Sequence, residues 1–496
     1  MTNFSRAVVL CGCFFVSVVP GSQVEAHGAP PHNTSSAAAQ QHIERITACV
    51  RQPVTVKNDP HPCTPLAEMM ARLHIPGVSV AVIHNGSIEW ARGFGLRQID
   101  RKPVDAETLF QAGSISKPVA ALAALHLVQL GKLALDTDVN TKLRTWKLPS
   151  SPAANGKPVT LRELLTHTGG TTVHGFPGYA ANAPVPSLVQ VLNGEPPANT
   201  PAIRIESEPG SKWNYSGGGY TIMQQMLLDA SHESFPQLLH ETVLAPIGMT
   251  HSSYQQPLPE MLRSDAATPY DGKGGPIPGG AHTYPEMAAA GLWTTPSDLA
   301  KYAMEVESSF AGKANHVLSK EMTQQMLTPG KGNWGLGLQI GGSSSDPYFS
   351  HGGVNEGFES LFVAYRNHGD GAVVMTNAQG GIVLANDLMR SIATEYGWPD
   401  FRPVVRTEVK VDRSILARYA GTYHLAPDFD IAVRLESDQL VIQPTGQDPA
   451  PMFPESQTRF FLKAVDAEIE FQSNEKGQVT GMILHQGGRD MKGSKQ

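Results

Sequence analysis

The sequence predicts an α/β (α+β) chain in which a mixed helix-and-strand domain precedes a small all-β one. Three observations carry that expectation. Val78 to Ile83 and Ser87 to Ala91 are β-rich runs joined by His84-Asn85-Gly86, and Asn-Gly between such runs is the strongest short-range hairpin signal. Residues 119–130 (VAALAALHLVQL) are apolar nearly all round and end at Gly131, as a buried helix with a C-cap glycine does. After Pro403 the texture changes: FDIAVRLES, DQLVIQP, AEIEFQS and VTGMILHQ alternate between turn signals, the pattern of a small sheet.

The remaining elements follow in chain order. Met1 to Arg6 carries one positive charge, Ala7 to Val19 is almost wholly apolar, and Val24-Glu25-Ala26 has small residues around a cleavage point. Residues 1–26 therefore read as a removable export signal, which implies a periplasmic or secreted protein. Its apolar run of about 13 residues is too short for a bilayer core of about 30 Å. Apolar residues also continue past Cys13, which argues against a lipobox at Leu10 to Cys13. No stable membrane anchor is expected. Residues 27–60 read as a leader and linker, with His27 to His42 disordered by composition. Order is expected near Thr64-Pro65, as N-cap and first helical residue of LAEMMARLH, in a domain spanning 61–403. Residues 176–210 and 271–281 are Pro/Gly-rich and read as long loops. ESLFVAY and GAVVMTN flank a turn at Asn367 to Gly371, and the all-β domain spans 410–496. Without residues 1–26 only Cys49 and Cys63 remain, and whether they pair is a question of geometry, not of sequence.

Composition sets the outer limits. The 496 residues are 41% hydrophobic and 17% charged, against an ordinary charged share of about 25%, with a net charge of −7. That excludes a disordered tail, a coiled coil, a collagen and a disulfide-dense miniprotein. A mildly acidic chain also lacks the electrostatic footprint of a nucleic-acid binder.

The chemistry begins at Gly113-Ser114-Ile115-Ser116-Lys117. Residues i and i+3 share a helix face, so Lys117 can reach the Ser114 hydroxyl. A serine is a weak nucleophile without a base, and a desolvated lysine can be that base. The start of a helix also offers free backbone N–H groups to a developing oxyanion. An S-x-x-K match alone is weak: a second occurs at Ser473 to Lys476, in a turn of the β-rich tail. Two further segments support the first. Tyr215 in Trp213-Asn214-Tyr215-Ser216-Gly217 follows a Pro-Gly turn and can shuttle a proton if Lys117 lowers its pKa. Ser350-His351-Gly352-Gly353-Val354 follows a short strand, and its glycines permit close approach by substrate.

The order S-x-x-K, Y-S-x, H-x-G resembles the serine β-lactamase and penicillin-binding-protein superfamily, above all the branch of class C β-lactamases, D-amino-acid peptidases and family VIII esterases. Leu164-Leu165-Thr166-His167-Thr168-Gly169-Gly170, Ala290-Gly291-Leu292-Trp293-Thr294-Thr295 and Trp334-Gly335-Leu336-Gly337 look like the same branch. The resemblance implies an antiparallel sheet flanked by helices with a helical subdomain, and the tail is similar to a small lipocalin-like barrel. It implies that Ser114 is acylated, that Lys117 is its base partner, and that Tyr215 protonates the leaving group and helps activate the deacylating water. It makes the amides of Ser114 and Val354, beside Gly353, an oxyanion hole. Which of Lys117 and Tyr215 takes the serine proton is left open.

Two departures bear on the substrate. Gly217 stands where the second motif often has Asn, and His351 where true β-lactamases have Lys. Both favour an ester or peptide-like amide over a β-lactam. If His351⁺ binds a substrate carboxylate, KM is expected to rise as pH passes about 6.5. Other classes fit less well. No G-x-S-x-G, H-E-x-x-H or S-D-N occurs, and no cofactor or metal motif does. The expectation is an exported serine hydrolase acting on a small ester, peptide or β-lactam-like molecule. Its alternatives are a true β-lactamase or D-Ala-D-Ala carboxypeptidase and, in another class, a non-catalytic penicillin-binding or sensor protein.

Overall fold

The computed structural model describes residues 36–98 and 102–496. The expected export signal lies outside them. Helix α1 (Ala37–Ala48) opens the described chain, with Ser36 Oγ accepting from the Ala39 amide at 3.1 Å. This corrects the leader expectation for this stretch. Ala39, Ile43 and Ile46 are spaced to share one helix face, and all three are buried in the core. Strand β1 (Val54–Val56) follows within a loop closed by a Cys49–Cys63 disulfide. Thr64 pairs its backbone with Val50, so helix α2 (Leu66–Arg72) starts after Pro65, slightly later than expected.

Strands β2 (Gly77–His84) and β3 (Ser87–Gly95) form the expected hairpin. Its turn needs positive φ at both central positions, and Asn85 (52°) and Gly86 (74°) supply it. A 3₁₀ turn (Gly113–Ile115) then leads into α3 (Ser116–Gln129), which is buried almost throughout. Within the expected long loop at 176–210 lies a short helix, Leu188–Asn193, closed by a reciprocal Ser187–Gln190 capping box. Helices α4 (Gly217–Ser231), α5 (Met287–Ala290) and α6 (Pro296–Ala311) complete the layer around α3.

Strands β4 (Gln339–Gly342), β5 (Pro347–Asn355), β6 (Phe358–Tyr365) and β7 (Gly371–Thr376) join the hairpin in one antiparallel sheet, in the order β3-β2-β7-β6-β5-β4. Side chains alternate across it. Val78, Val80 and Val82 pack with α1 and α7 (Gly381–Glu395), while Ala81 and Ile83 face α3 and α6. Fully burying one such valine contributes about 1.5–3 kcal/mol. The sheet is thus sandwiched between helices, and β5 lies against the 3₁₀ turn that precedes α3.

Strand β8 (Val404–Arg406) pairs in parallel with β1 and leads to a closed, antiparallel, eight-stranded barrel. Its strands are β9 (Gly421–Ala426), β10 (Phe429–Glu436), β11 (Gln439–Pro444), β12 (Ala450–Pro454), β13 (Arg459–Phe461), β14 (Ala467–Ser473), β15 (Val479–Gln486) and β16 (Arg489–Lys495). Alternate residues (Ile431 and Val433, Leu440 and Ile442, Ile469 and Phe471) point inward and fill the interior. Among the described residues, no helix is long and apolar enough to cross a membrane.

Candidate active site

Ser114 sits in the 3₁₀ turn and Lys117 in the first turn of α3, and their side chains meet. Lys117 Nζ donates to Ser114 Oγ at 2.9 Å and to the Ala289 carbonyl of α5 at 2.8 Å. The lysine is buried, and its ammonium lies 5.0 Å from the centre of the Tyr215 ring. Ser116 fixes the turn between them. Its hydroxyl donates to Gly113 O at 2.6 Å and accepts from the Leu292 amide at 2.9 Å, while Tyr254 donates to its carbonyl.

The H-x-G strand presses directly on this turn. A Cβ at Gly353 would lie 1.9 Å from Ala112 O, and one at Gly113 would lie 2.5 Å from Val354 N. Gly113 also has φ +53°. Only glycine at both positions lets the backbone of Gly353-Val354 come alongside that of Ser114. The first amides of a helix have no intrahelical acceptor, so this junction sets backbone N–H groups beside a nucleophile-bearing turn. Two such donors can hold an anionic oxygen.

Tyr215 enters from the segment before α4, whose N-cap is Ser216: its Oγ accepts from the Gly219 amide at 3.0 Å and from Thr171 Oγ1 at 2.8 Å. Around Tyr215 lies an aromatic wall of His167, Tyr220, Trp334, Trp213 and His351, linked by ring-to-ring distances of 4.2–6.4 Å. Ser114, Lys117, Tyr215, His351, Gly353 and Val354 are therefore all brought to one place.

His351 differs from its expectation. It is buried, with Nδ1 donating to Gly352 O at 2.5 Å and Nε2 left without a partner. Burial, aided by the Lys117 charge, pushes its pKa down to about 3. Burial thus keeps the imidazole neutral near pH 6.5, so His351 is not the group that would raise KM there. Gly217 is likewise closed: a Cβ there would lie 2.9 Å from the Phe176 ring.

Sequence reasoning passed over two residues of this region. His167, 50 positions before Gly217 in the chain, lies against Tyr215; its Leu-Leu-Thr-His-Thr-Gly-Gly setting is visible in the sequence but assigns it no role. It is buried, holds φ +58°, and burial with the Lys117 charge keeps it well below the ordinary histidine pKa. Glu286, at the N-cap of α5, is fully buried with both oxygens unpartnered, and burial raises its pKa to about 8. Among the described residues, no group of three or more His, Cys, Asp or Glu side chains could hold a metal ion.

Comparison with known proteins agrees with this architecture. Residues 66–394 match the family model described as Beta-lactamase, and residues 405–495 match a domain of unknown function. The chain is 24% identical over 459 residues to penicillin-binding protein 4* of Bacillus subtilis (strain 168), covering 86% of this chain and 96% of that one. Its fold is similar to that of the octameric penicillin-binding protein homologue from Pyrococcus abyssi (TM-score 0.57, 23% identity, 86% of this chain and 98% of that one). It is also similar to the D-amino acid amidase from Ochrobactrum anthropi SV3 (TM-score 0.55, 19% identity, 71% of this chain and 99% of that one). The chain belongs to the β-lactamase family, within the serine β-lactamase and penicillin-binding-protein superfamily of generally hydrolytic serine enzymes.

Proposed function

We propose that the protein is an exported serine hydrolase that cleaves an ester or peptide-like amide through an acyl-serine intermediate. The observation that carries this reading is the buried Lys117 Nζ at 2.9 Å from Ser114 Oγ. The coupled Lys117–Tyr215 pair takes the Ser114 proton as Oγ adds to the substrate carbonyl carbon. The resulting oxyanion is held by the amides of Ser114 and Val354. Collapse expels the alcohol or amine, which receives its proton through Tyr215. Water then adds to the acyl carbon, giving its proton to the same pair, and Ser114 Oγ leaves with a proton as the carboxylic acid is released.

The polarity of the site bears on the substrate. A neutral His351 supplies no fixed positive charge for a substrate carboxylate, and Gly217 supplies no amide. Both features favour uncharged esters or amides over β-lactams, whose carboxylate needs a cation. The Cys49–Cys63 disulfide and the signal-like residues 1–26 support export to an oxidising compartment.

Turnover of short p-nitrophenyl esters, D-amino-acid amides and a chromogenic cephalosporin tests the reading. Ester or amide turnover that Ser114→Ala abolishes is expected, with KM flat between pH 5.5 and 7.5. Rapid cephalosporin turnover would reverse the substrate preference. Acylation without turnover on any of the three would make the chain a penicillin-binding or sensor protein.

A further inference from the structure

We propose that His167 is the positioning residue for the Tyr215 phenol, acting as a clamp that grips the backbone on both sides of it. This rests on the reading in which Tyr215 carries a proton to the leaving group. The His167 carbonyl accepts from the Asn214 amide at 2.8 Å, and its Nδ1 accepts from the Ser216 amide at 3.1 Å. Those two amides immediately flank Tyr215. Between them the imidazole packs on the phenol ring, with centroids 4.2 Å apart and planes tilted by 33°. One residue thereby fixes the main chain before Tyr215, the main chain after it, and the face of its ring.

The clamp makes demands on His167 itself. Its φ of +58° is in the left-handed region, which histidine rarely occupies, and the backbone must hold that angle to present carbonyl and ring together. Because Nδ1 accepts a hydrogen bond, the ring proton resides on Nε2, which is buried and has no partner. The titratable groups that face the ring are Lys117, His351, Tyr215 and Tyr220, with Trp213 and Trp334 edge-on to it. A charged imidazole there would lose the Ser216 bond and repel the Lys117 ammonium, so the clamp works only in the neutral form. Below the pH at which it protonated, it would release Tyr215.

Three variants separate clamp from scaffold. His167→Phe keeps a flat ring and removes the Nδ1 acceptor. His167→Asn keeps a short acceptor and tolerates the left-handed angle. Tyr215→Phe removes the hydroxyl being positioned. With p-nitrophenyl acetate, His167→Phe should lower kcat about tenfold or more with KM within about twofold, and His167→Asn should stay within about threefold of the unmodified protein. In the Tyr215→Phe background, His167→Phe should cost no more than about twofold further. An unchanged kcat, or an equal loss with and without the Tyr215 hydroxyl, would overturn the clamp. A second readout is independent of turnover: nitrogen NMR of the Ser114→Ala protein should show His167 neutral, with the proton on Nε2, at pH 6. Titration of that ring with a midpoint near 6.5 would overturn the proposal. If the unmodified protein hydrolyses nothing, the hydrolase reading fails while the NMR result still decides the clamp.

Discussion

The hydrolase domain and the barrel treat their polar groups in opposite ways. In the barrel, charges stay near the surface and pair: Arg459 with Glu470 at 2.6 Å, Arg434 with Glu436 at 3.3 Å. Its interior is filled by Tyr419 stacked on Phe471 at 4.1 Å, with Phe460 edge-on. Around Ser114 the ordinary rules are broken. A lysine is buried, two histidines carry unpartnered buried Nε2 atoms, and Glu286 keeps an unpaired carboxyl inside. Positive φ at His167, a non-glycine residue, adds backbone strain. Such departures are costly, and they persist where surrounding packing enforces them. The contrast separates a region organised for chemistry from one organised for stability.

The largest effect expected from breaking that contrast is at Lys117. Lys117→Ala removes the base partner and should lower kcat on the preferred ester by about 10³-fold or more, with the protein still folded by circular dichroism. Retention of a tenth of the activity would move the base role to Tyr215 alone. In the barrel, Phe471→Ala should destabilise by about 3–5 kcal/mol, read as a lower denaturant midpoint for the barrel transition. Its kcat/KM should stay within about twofold, because Phe471 belongs to a core cluster separate from the one beside Ser114. A parallel loss of activity would show that the barrel shapes the site, through the junction where Lys463 Nζ meets Asp59 at 3.0 Å and β1 pairs with β8.

A smaller effect distinguishes the buried titrating groups. Folded Glu286 holds its proton up to about pH 8, whereas the unfolded chain releases it near 4.5. The native state therefore binds more protons between these values, and stability falls as pH rises through that window, by up to a few kcal/mol. Glu286→Gln should flatten the slope between pH 5.5 and 8 in urea titrations. For His351 the sign is reversed. The unfolded chain takes up a proton below about 6.5 and the native state only near 3, so stability falls as pH drops across that range. An unaltered alkaline slope in the Glu286→Gln protein would place the titrating group elsewhere, with Asp387 and Glu307, each raised to about 7 by burial, as the next to substitute.

What was legible in the sequence follows from the range of each interaction. Ser114 and Lys117 are three apart, so helix geometry alone brings them together, and Asn85-Gly86 encodes its turn locally. Tyr215 and His351 were reached by motif order, which depends on the family resemblance. His167 was not assigned, because its partners are the amides of Asn214 and Ser216, far along the chain, and a lone histidine carries no signal of that pairing. Burial was equally hidden. Nothing in Ser350-His351-Gly352 indicates that the ring is sealed from water, and this burial pushes its pKa below the range near 6.5 that the sequence suggests. Helix α1 was masked by the Gly, Pro, Ser and Gln residues before and within it, although Ile43 and Ile46 lie on its buried face. In the barrel the alternating strands were plain, whereas β12 contains Pro451 and Pro454, and β16 (RDMKGSK) is mostly exposed and lacks alternation.

The central claim is that Ser114 becomes acylated. Brief incubation of the protein with a p-nitrophenyl ester, acid quenching and mass spectrometry of the peptides would test it most directly. A mass increase equal to the acyl group is expected on the peptide carrying Ser114, absent from Ser114→Ala and strongly reduced in Lys117→Ala. Ester turnover with no adduct on that peptide, or an adduct that persists in Ser114→Ala, would contradict it.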